Sequence, residues 1–261
     1  MEKLFIKHRK KIAITPLNFS RDLIKQIQWK DRLIGIKGAR GVGKTTFILQ
    51  YIKKNFVPGK DNLYVSLDDV YFSGNSVTDF VDEFVKNGGK FLFIDEVHRY
   101  ENWSQALKNI YDDYPELKIV FTGSSILDII QSKADLSRRA IIYQMKGLSF
   151  REYLAITGKL NWQQFTLSEI LENHEMLSNE IATKIKPVKE FKDYLVIGYY
   201  PFFMEYRDTY HQRLEQVINL VLENDITALK PVSLEGVKKL KQLLYILSTS
   251  VPFKPNISKL S

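Results

Sequence analysis

The run Gly38-Ala-Arg-Gly-Val-Gly-Lys-Thr45 matches G-x-x-x-x-G-K-[ST], a spacing with a defined chemistry. Gly38, Gly41 and Gly43 let the backbone curl until successive N–H groups point inward at an anion. Ala39, Arg40, Val42 and Thr46 complete a loop that would wrap a phosphate chain. The loop opens a helix, whose N-terminus adds partial positive charge. Lys44 is expected to reach the β- and γ-phosphates, and the Thr45 hydroxyl to ligate Mg²⁺.

A second constellation is "FLFIDEVH", Phe91 to His98. Four apolar residues run into two adjacent carboxylates. Asp95 is placed to hold the metal's hydration shell, and Glu96 to polarise an attacking water. Further along, "KIVFTGSS" ends in hydroxyls. Thr122 or Ser124 could orient that water or report phosphate loss, or supply the cap of a helix that starts at Ser125, and both can hold at once. Arg138 and Arg139 in "ADLSRRAII" could stabilise transition-state charge, in their own site or a neighbouring copy's. They could equally flank a strand. His98 reads as a packing or hydrogen-bonding residue, and Asp68 and Asp69 as turn or cap residues.

Elements must bring these residues together. Up to about residue 145, short apolar runs alternate with helical spacing. The runs are 32–38, 62–67, 90–96, 118–124 and 140–145. Each is apolar on successive positions, as strands buried on both faces are. Helical patterns over Thr45–Lys54, Ser76–Asn87, Trp103–Asp113 and Ser125–Gln131 lie between them. The alternation predicts an α/β fold with a parallel sheet covered by helices. The unit at 62–87 separates the two motifs in sequence, so the strand of "KIVFTGSS" is expected between the Lys44 and Asp95 strands. Beyond about 150 the chain reads as helices, with a capping-box start at Thr166–Glu169 and breaks at Pro187, Pro201 and Pro231. We therefore expect a P-loop domain over 1–148, its first 30 residues an N-terminal segment. A helical lid or accessory domain is expected over 149–261.

The chain of 261 residues is 44% hydrophobic and carries no cysteine, which excludes disulfides and thiolate metal sites. "MEKLFIKHRKK" is not a secretory signal, and no apolar run reaches membrane-spanning length. A cytoplasmic protein is the expectation. Residues 1–60 hold 15 Lys and Arg against 3 Asp and Glu, whereas 61–150 hold 9 against 14. The surplus of cations is thus N-terminal and includes "KHRKK". It fits either a solvated basic face or a footprint for nucleic acid or a protein partner.

"GARGVGKTT", "LYVSLDD", "LFIDEVHRYENWSQALKNIYD", "IVFTGSS", the Leu136-Ser-Arg-Arg139 run and "LSFREYL" occur in an order that resembles the prokaryotic AAA-type ATPases with a C-terminal domain of unknown function. Those are relatives of the archaeal ATPase, STAND and origin-recognition groups of AAA+ proteins. The resemblance implies a five-stranded sheet of order 5-1-4-3-2, a Walker B pair at Asp95 and Glu96, and a sensor at "TGSS". Arg139 matches the family arginine, while Arg138 stands where relatives often have glycine. Gly198-Tyr-Tyr-Pro201 corresponds to a Gly-Gly-aromatic-Pro element, and the match implies that Pro201 packs on adenine. "PFKPNISKLS" resembles the start of a winged-helix module, which suggests a shortened chain.

The functional expectation is an Mg²⁺-dependent ATPase whose nucleotide state drives a lid or partner rearrangement. A slow nucleotide-gated switch and a DNA-associated regulator are the alternatives. ATP is preferred over GTP because of the resemblance, and a homo-oligomer is compatible with it. The chain is too short for the two motor domains of a helicase, and no acceptor site for a small-molecule kinase is visible.

Overall fold

The structure, a computed structural model, describes residues 1–57, 59–124, 136, 138–226 and 232–250. Five strands alternate with helices, as the apolar runs require. They are β1 (Leu33–Gly38), β2 (Asn62–Ser66), β3 (Phe91–Asp95), β4 (Lys118–Ser124) and β5 (Ile141–Gln144). All four pairings are parallel, and the order is β2-β3-β4-β1-β5. This is the expected 5-1-4-3-2 order read from the other edge, with β4 inserted between β1 and β3.

Helix α1 (Glu2–Ile14) precedes the sheet. Next come α2 (Lys44–Asn55), α3 (Val77–Lys86) and α4 (Trp103–Asp113). Strand alternation sends side chains to two cores. Leu33, Leu63, Val65, Leu92, Ile94, Ile119 and Phe121 join one face with α3 and α4. Ile34, Ile36, Tyr64, Phe93 and Val120 join the other with Phe47, Ile48 and Ile52 of α2. Burying each such side chain contributes roughly 1.5–3 kcal/mol, so neither face can be left to water. The same alternation puts Asp95, two residues beyond Phe93, on the α2 face.

Helix α1 was not foreseen in the basic N-terminal segment. Its buried stripe is Leu4, His8 and Ile12, and only two of the three are apolar. It covers the outer edge of the sheet, where the Tyr64 N–H donates to His8 Nδ1 at 2.9 Å. Burial, with a smaller contribution from Arg9, pulls the His8 imidazole down to about 4, so it stays a neutral acceptor.

After residue 148 helices take over: α5 (Phe150–Ile156), α6 (Leu167–Lys184), α7 (Pro187–Asp193), α8 (Tyr210–Leu220) and α9 (Leu234–Thr249). The Thr166–Glu169 capping box is present, and a second, Ser149 with Glu152, starts α5. A π turn at Tyr194–Gly198 leads to a 3-10 turn at Pro201–Met204. The chain forms two compact units, one running from Met1 to Tyr210 and the other beginning at His211. The helices up to α7 therefore belong to the same unit as the sheet. The expected helix at Ser125–Gln131, Pro231 and the winged-helix-like ending lie outside the described residues. Among the described residues, no helix is long and apolar enough to cross a membrane.

Candidate functional site

The phosphate loop leaves β1 at Gly38 and enters α2 at Lys44. Gly41 and Gly43 hold φ of 85° and 94°, left-handed values that favour glycine. They turn the chain into the concave form that lines up N–H groups on an anion. Lys44 is 5% exposed, and its ammonium donates to the carbonyls of Gly38 at 2.9 Å and Ala39 at 3.1 Å.

Sheet order delivers the remaining parts. Asp95, at the end of β3, is 2% exposed. The Thr45 hydroxyl donates to its Oδ2 at 2.6 Å, and the Tyr64 hydroxyl donates to the same oxygen at 2.7 Å. Thr122 donates to Oδ1. Three hydroxyls from α2, β2 and β4 thus converge on one carboxylate. A hydroxyl beside a carboxylate is the oxygen donor set that suits Mg²⁺, which keeps few protein ligands and completes its shell with water and phosphate. Among the described residues no group of three His, Asp or Glu could enclose a metal.

Glu96 follows in the left-handed region, φ 54°, a conformation that costs a non-glycine residue on the order of 1 kcal/mol. Its N–H donates to Thr122 Oγ1 at 3.2 Å, which holds the turn. The turn sends the carboxyl off the strand and toward His98, whose Nε2 lies 3.3 Å from Oε2. Burial pushes the Glu96 carboxyl above the usual glutamate range, Asp95 adds to this, and Lys44 opposes it.

Three expectations change place. Thr122 is 0% exposed and spends its hydroxyl on Asp95 and the Glu96 N–H, so it sits behind the carboxylates rather than at the phosphate tip. Arg139 forks onto Asp112 at 2.8 and 2.9 Å. That pair lies at the start of β5 and the end of α4. Since Ile141 pairs with Ile34 while the loop begins at Gly38, it is roughly 13 Å from the loop along the strands. Arg139 is thus held at the end of the sheet away from its own subunit's loop. Arg138 is exposed in the same turn.

Pro201, by contrast, lies at the loop. A cavity of about 350 Å³ is lined by Gly41–Thr46 on one side and by Phe19, Ile156, Pro201, Phe202 and Met204 on the other. A Cβ on Gly43 would sit 3.5 Å from Pro201, so the ring closes directly over the loop. Arg21 fastens this wall. It is 8% exposed and donates to Glu152 Oε1 at 2.9 Å, to the Val42 carbonyl at 3.1 Å, and to the Lys146 and Gly147 carbonyls at 2.8 Å each. Gln50 of α2 donates to the Pro16 and Phe19 carbonyls. Sequence reasoning missed Arg21, Phe19 and Gln50, whose partners are remote in the chain. It also missed Tyr64, although a phenol in the middle of an apolar strand was a visible signal.

The geometry now meets the comparisons with known proteins. A family model described as "AAA domain" matches residues 30–154. That stretch, just under half of the chain, is what is similar to an AAA domain. The match begins just before β1, ends within α5, and takes in every strand of the sheet. The matched segment holds the phosphate loop, Asp95, Glu96 and Thr122. Phe19, Arg21 and Pro201 reach it from outside. Over 234 residues the chain is 28% identical to a protein of Methanocaldococcus jannaschii named "Uncharacterized protein MJ1637". That match covers 84% of this chain and 49% of the relative, so the chain spans about half the relative's length. Among solved structures it is similar to the Hsp104:casein complex of S. cerevisiae in its extended conformation, with 18% identity, 58% of this chain and 31% of that chain covered, and a TM-score of 0.43. It is also similar to AMPPCP-bound DnaA from Aquifex aeolicus, with 17% identity, 78% and 67% covered, and a TM-score of 0.39.

Proposed function

We propose that the AAA domain binds Mg·ATP and hydrolyses it. The observation that carries this reading is the meeting of Thr45 and Asp95 at 2.6 Å beside the phosphate loop, with Glu96 at the same strand end. Magnesium bound with the triphosphate would be held by the Thr45 hydroxyl and by Asp95, and would draw charge from the phosphate oxygens. The residues of the chain do the rest. The loop amides and Lys44 grip the phosphates, Lys44 exchanging its carbonyl partners for phosphate oxygens. Glu96 takes the proton of the attacking water, and its raised affinity for protons suits it to that task. Thr122 keeps both carboxylates in place. Pro201, Phe202 and Met204 provide an apolar wall for the base, which supports carrying the adenine contact over to Pro201.

In this reading the nucleotide state moves the helices after residue 148, because the same cavity is walled by the loop and by the turn at Pro201. A part for Arg139 in hydrolysis falls to the site of a neighbouring copy, which calls for a homo-oligomer. A reaction that consumes ATP fits a cytoplasmic setting, where ATP is abundant. Single-turnover hydrolysis on the wild type and Glu96→Gln tests the enzyme reading. A rate that the substitution leaves unchanged would make the protein a slow switch instead.

A DNA-associated role has one specific support: Lys3, Lys7, Arg9 and Lys10 are exposed on α1. Duplex affinity that falls steeply with salt would favour it, and affinity insensitive to salt would count against it.

A further inference from the structure

The Asp95 carboxylate is held from a direction that the nucleotide motifs do not include. Tyr64 lies on β2, the edge strand of the sheet, and is 4% exposed. Its ring packs in the α2-side core with Phe93 and Phe47. Its hydroxyl donates to Asp95 Oδ2 at 2.7 Å, the oxygen that Thr45 also uses. Its main-chain N–H is capped by His8, and Lys11 Nζ lies 3.4 Å from the phenol oxygen. Both partners belong to α1. The phenol is therefore fixed at both ends, the backbone by His8 and the ring by the core.

We propose that Tyr64 is a positioning residue for the magnesium ligand Asp95, and that α1 is the prop that sets it. The inference rests on the Mg·ATP reading above. Magnesium held by the Thr45 hydroxyl and Asp95 would compete with the hydrogen bond between them. Oδ2 then keeps one protein donor, Tyr64, while Oδ1 keeps Thr122. With both oxygens still held, the carboxylate stays aimed as the metal arrives. A phenylalanine at this position would fill the same space and leave Oδ2 with no protein donor once Thr45 has turned. Partners behind a metal ligand commonly govern metal affinity in this way. Lys11 acts one step further back: by donating to the phenol oxygen, it leaves the phenol proton directed at Asp95.

The test is calorimetry of ATP binding in EDTA and in magnesium, on wild type, Tyr64→Phe, Lys11→Met, Asp95→Asn and the Tyr64→Phe/Asp95→Asn pair. ATP affinity in EDTA reports the phosphate loop and certifies folding; it should be unchanged in Tyr64→Phe. The gain in affinity on adding magnesium should shrink about tenfold in Tyr64→Phe. Lys11→Met should shrink it less, in the same direction. In the Asp95→Asn background Tyr64→Phe should add nothing, since the phenol acts through that carboxylate. A full magnesium gain in Tyr64→Phe overturns the proposal, and so does an equal loss in EDTA and in magnesium. Should Tyr64→Phe fail to fold, Lys11→Met, altered at the half-exposed end of the relay, decides: an unchanged gain overturns it. Wild-type protein that binds ATP in neither condition overturns the nucleotide reading, and this inference falls with it.

Discussion

The two flanks of the phosphate loop are built in opposite ways. On the acidic flank, Thr45, Asp95, Thr122 and Tyr64 meet through hydroxyl-to-carboxylate hydrogen bonds, placed by strand register. On the apolar flank, Phe19, Ile156, Pro201 and Phe202 gather from three distant stretches of chain around a cavity, and Arg21 pins them. The acidic flank is set by the register of one sheet, because its parts lie on β2, β3, β4 and the first turn of α2. The apolar flank depends on how the segments before β1 and after β5 lie. In the proposed reading, chemistry belongs to the first flank, and base affinity with its coupling to the helices to the second.

Substitutions can break this division, and the largest effect is expected on the acidic flank. Glu96→Gln should lower single-turnover hydrolysis about a thousandfold while ATP affinity stays, as loss of a general base does. The wild-type rate should also show an acid limb above the usual glutamate range, because burial raises the Glu96 carboxyl and the base must be ionised to act. A rate–pH profile checks both, since the limb should vanish in Glu96→Gln.

Arg21→Ala should act on the other flank and on stability together. It strips a buried carboxylate, Glu152, of its cation, a change that costs about 3–5 kcal/mol. Denaturant melts measure that loss. ATP affinity should fall with it, because the Val42 carbonyl and the 146–147 linker lose their common donor. Arg21→Ala with native stability would break the comparison, since the apolar flank would not need its pin.

His8 gives a smaller effect with a definite sign. Its folded value, about 4, lies below the ordinary 6.5, so the neutral form belongs to the native state. Its contribution is complete above pH 6.5 and is lost as pH falls toward 4, by on the order of 2–3 kcal/mol. Urea melts between pH 7 and pH 4.5 should show this loss, and His8→Gln should flatten it. The smallest effect is expected from Arg139→Ala, which should leave ATP affinity unchanged because the side chain is engaged by Asp112 at the far end of the sheet.

The acidic flank was legible in the sequence apart from Tyr64, and of the apolar flank only Pro201 was. Strand ends announce themselves: an apolar run followed by Asp95-Glu96, or by Thr122, marks both the element and the residue that leaves it. The spacing of these runs suggested β4 between β1 and β3, and the full strand order came from the family resemblance. Arg21 and Phe19 carry no such mark, because their roles come from groups remote in the chain, such as the Gly147 carbonyl and the Pro201 ring. Helix α1 was hidden by His8, a polar letter in the middle of a buried stripe whose purpose is to accept the Tyr64 N–H. Arg139 was read either as a finger for the phosphates or as the flank of a strand, and the strand's direction puts it at the end away from the loop. Pro201 was placed by resemblance alone, and its position over Gly43 depends on the turn after Gly198.

The central claim is that the glycine-turned loop and Lys44 grip the triphosphate. Isothermal titration of Mg·ATP into the folded wild type and into Lys44→Ala tests it most directly. The account predicts saturable binding to the wild type and its loss in Lys44→Ala. Heat no greater than dilution for the wild type, or identical binding by the two proteins, would contradict it.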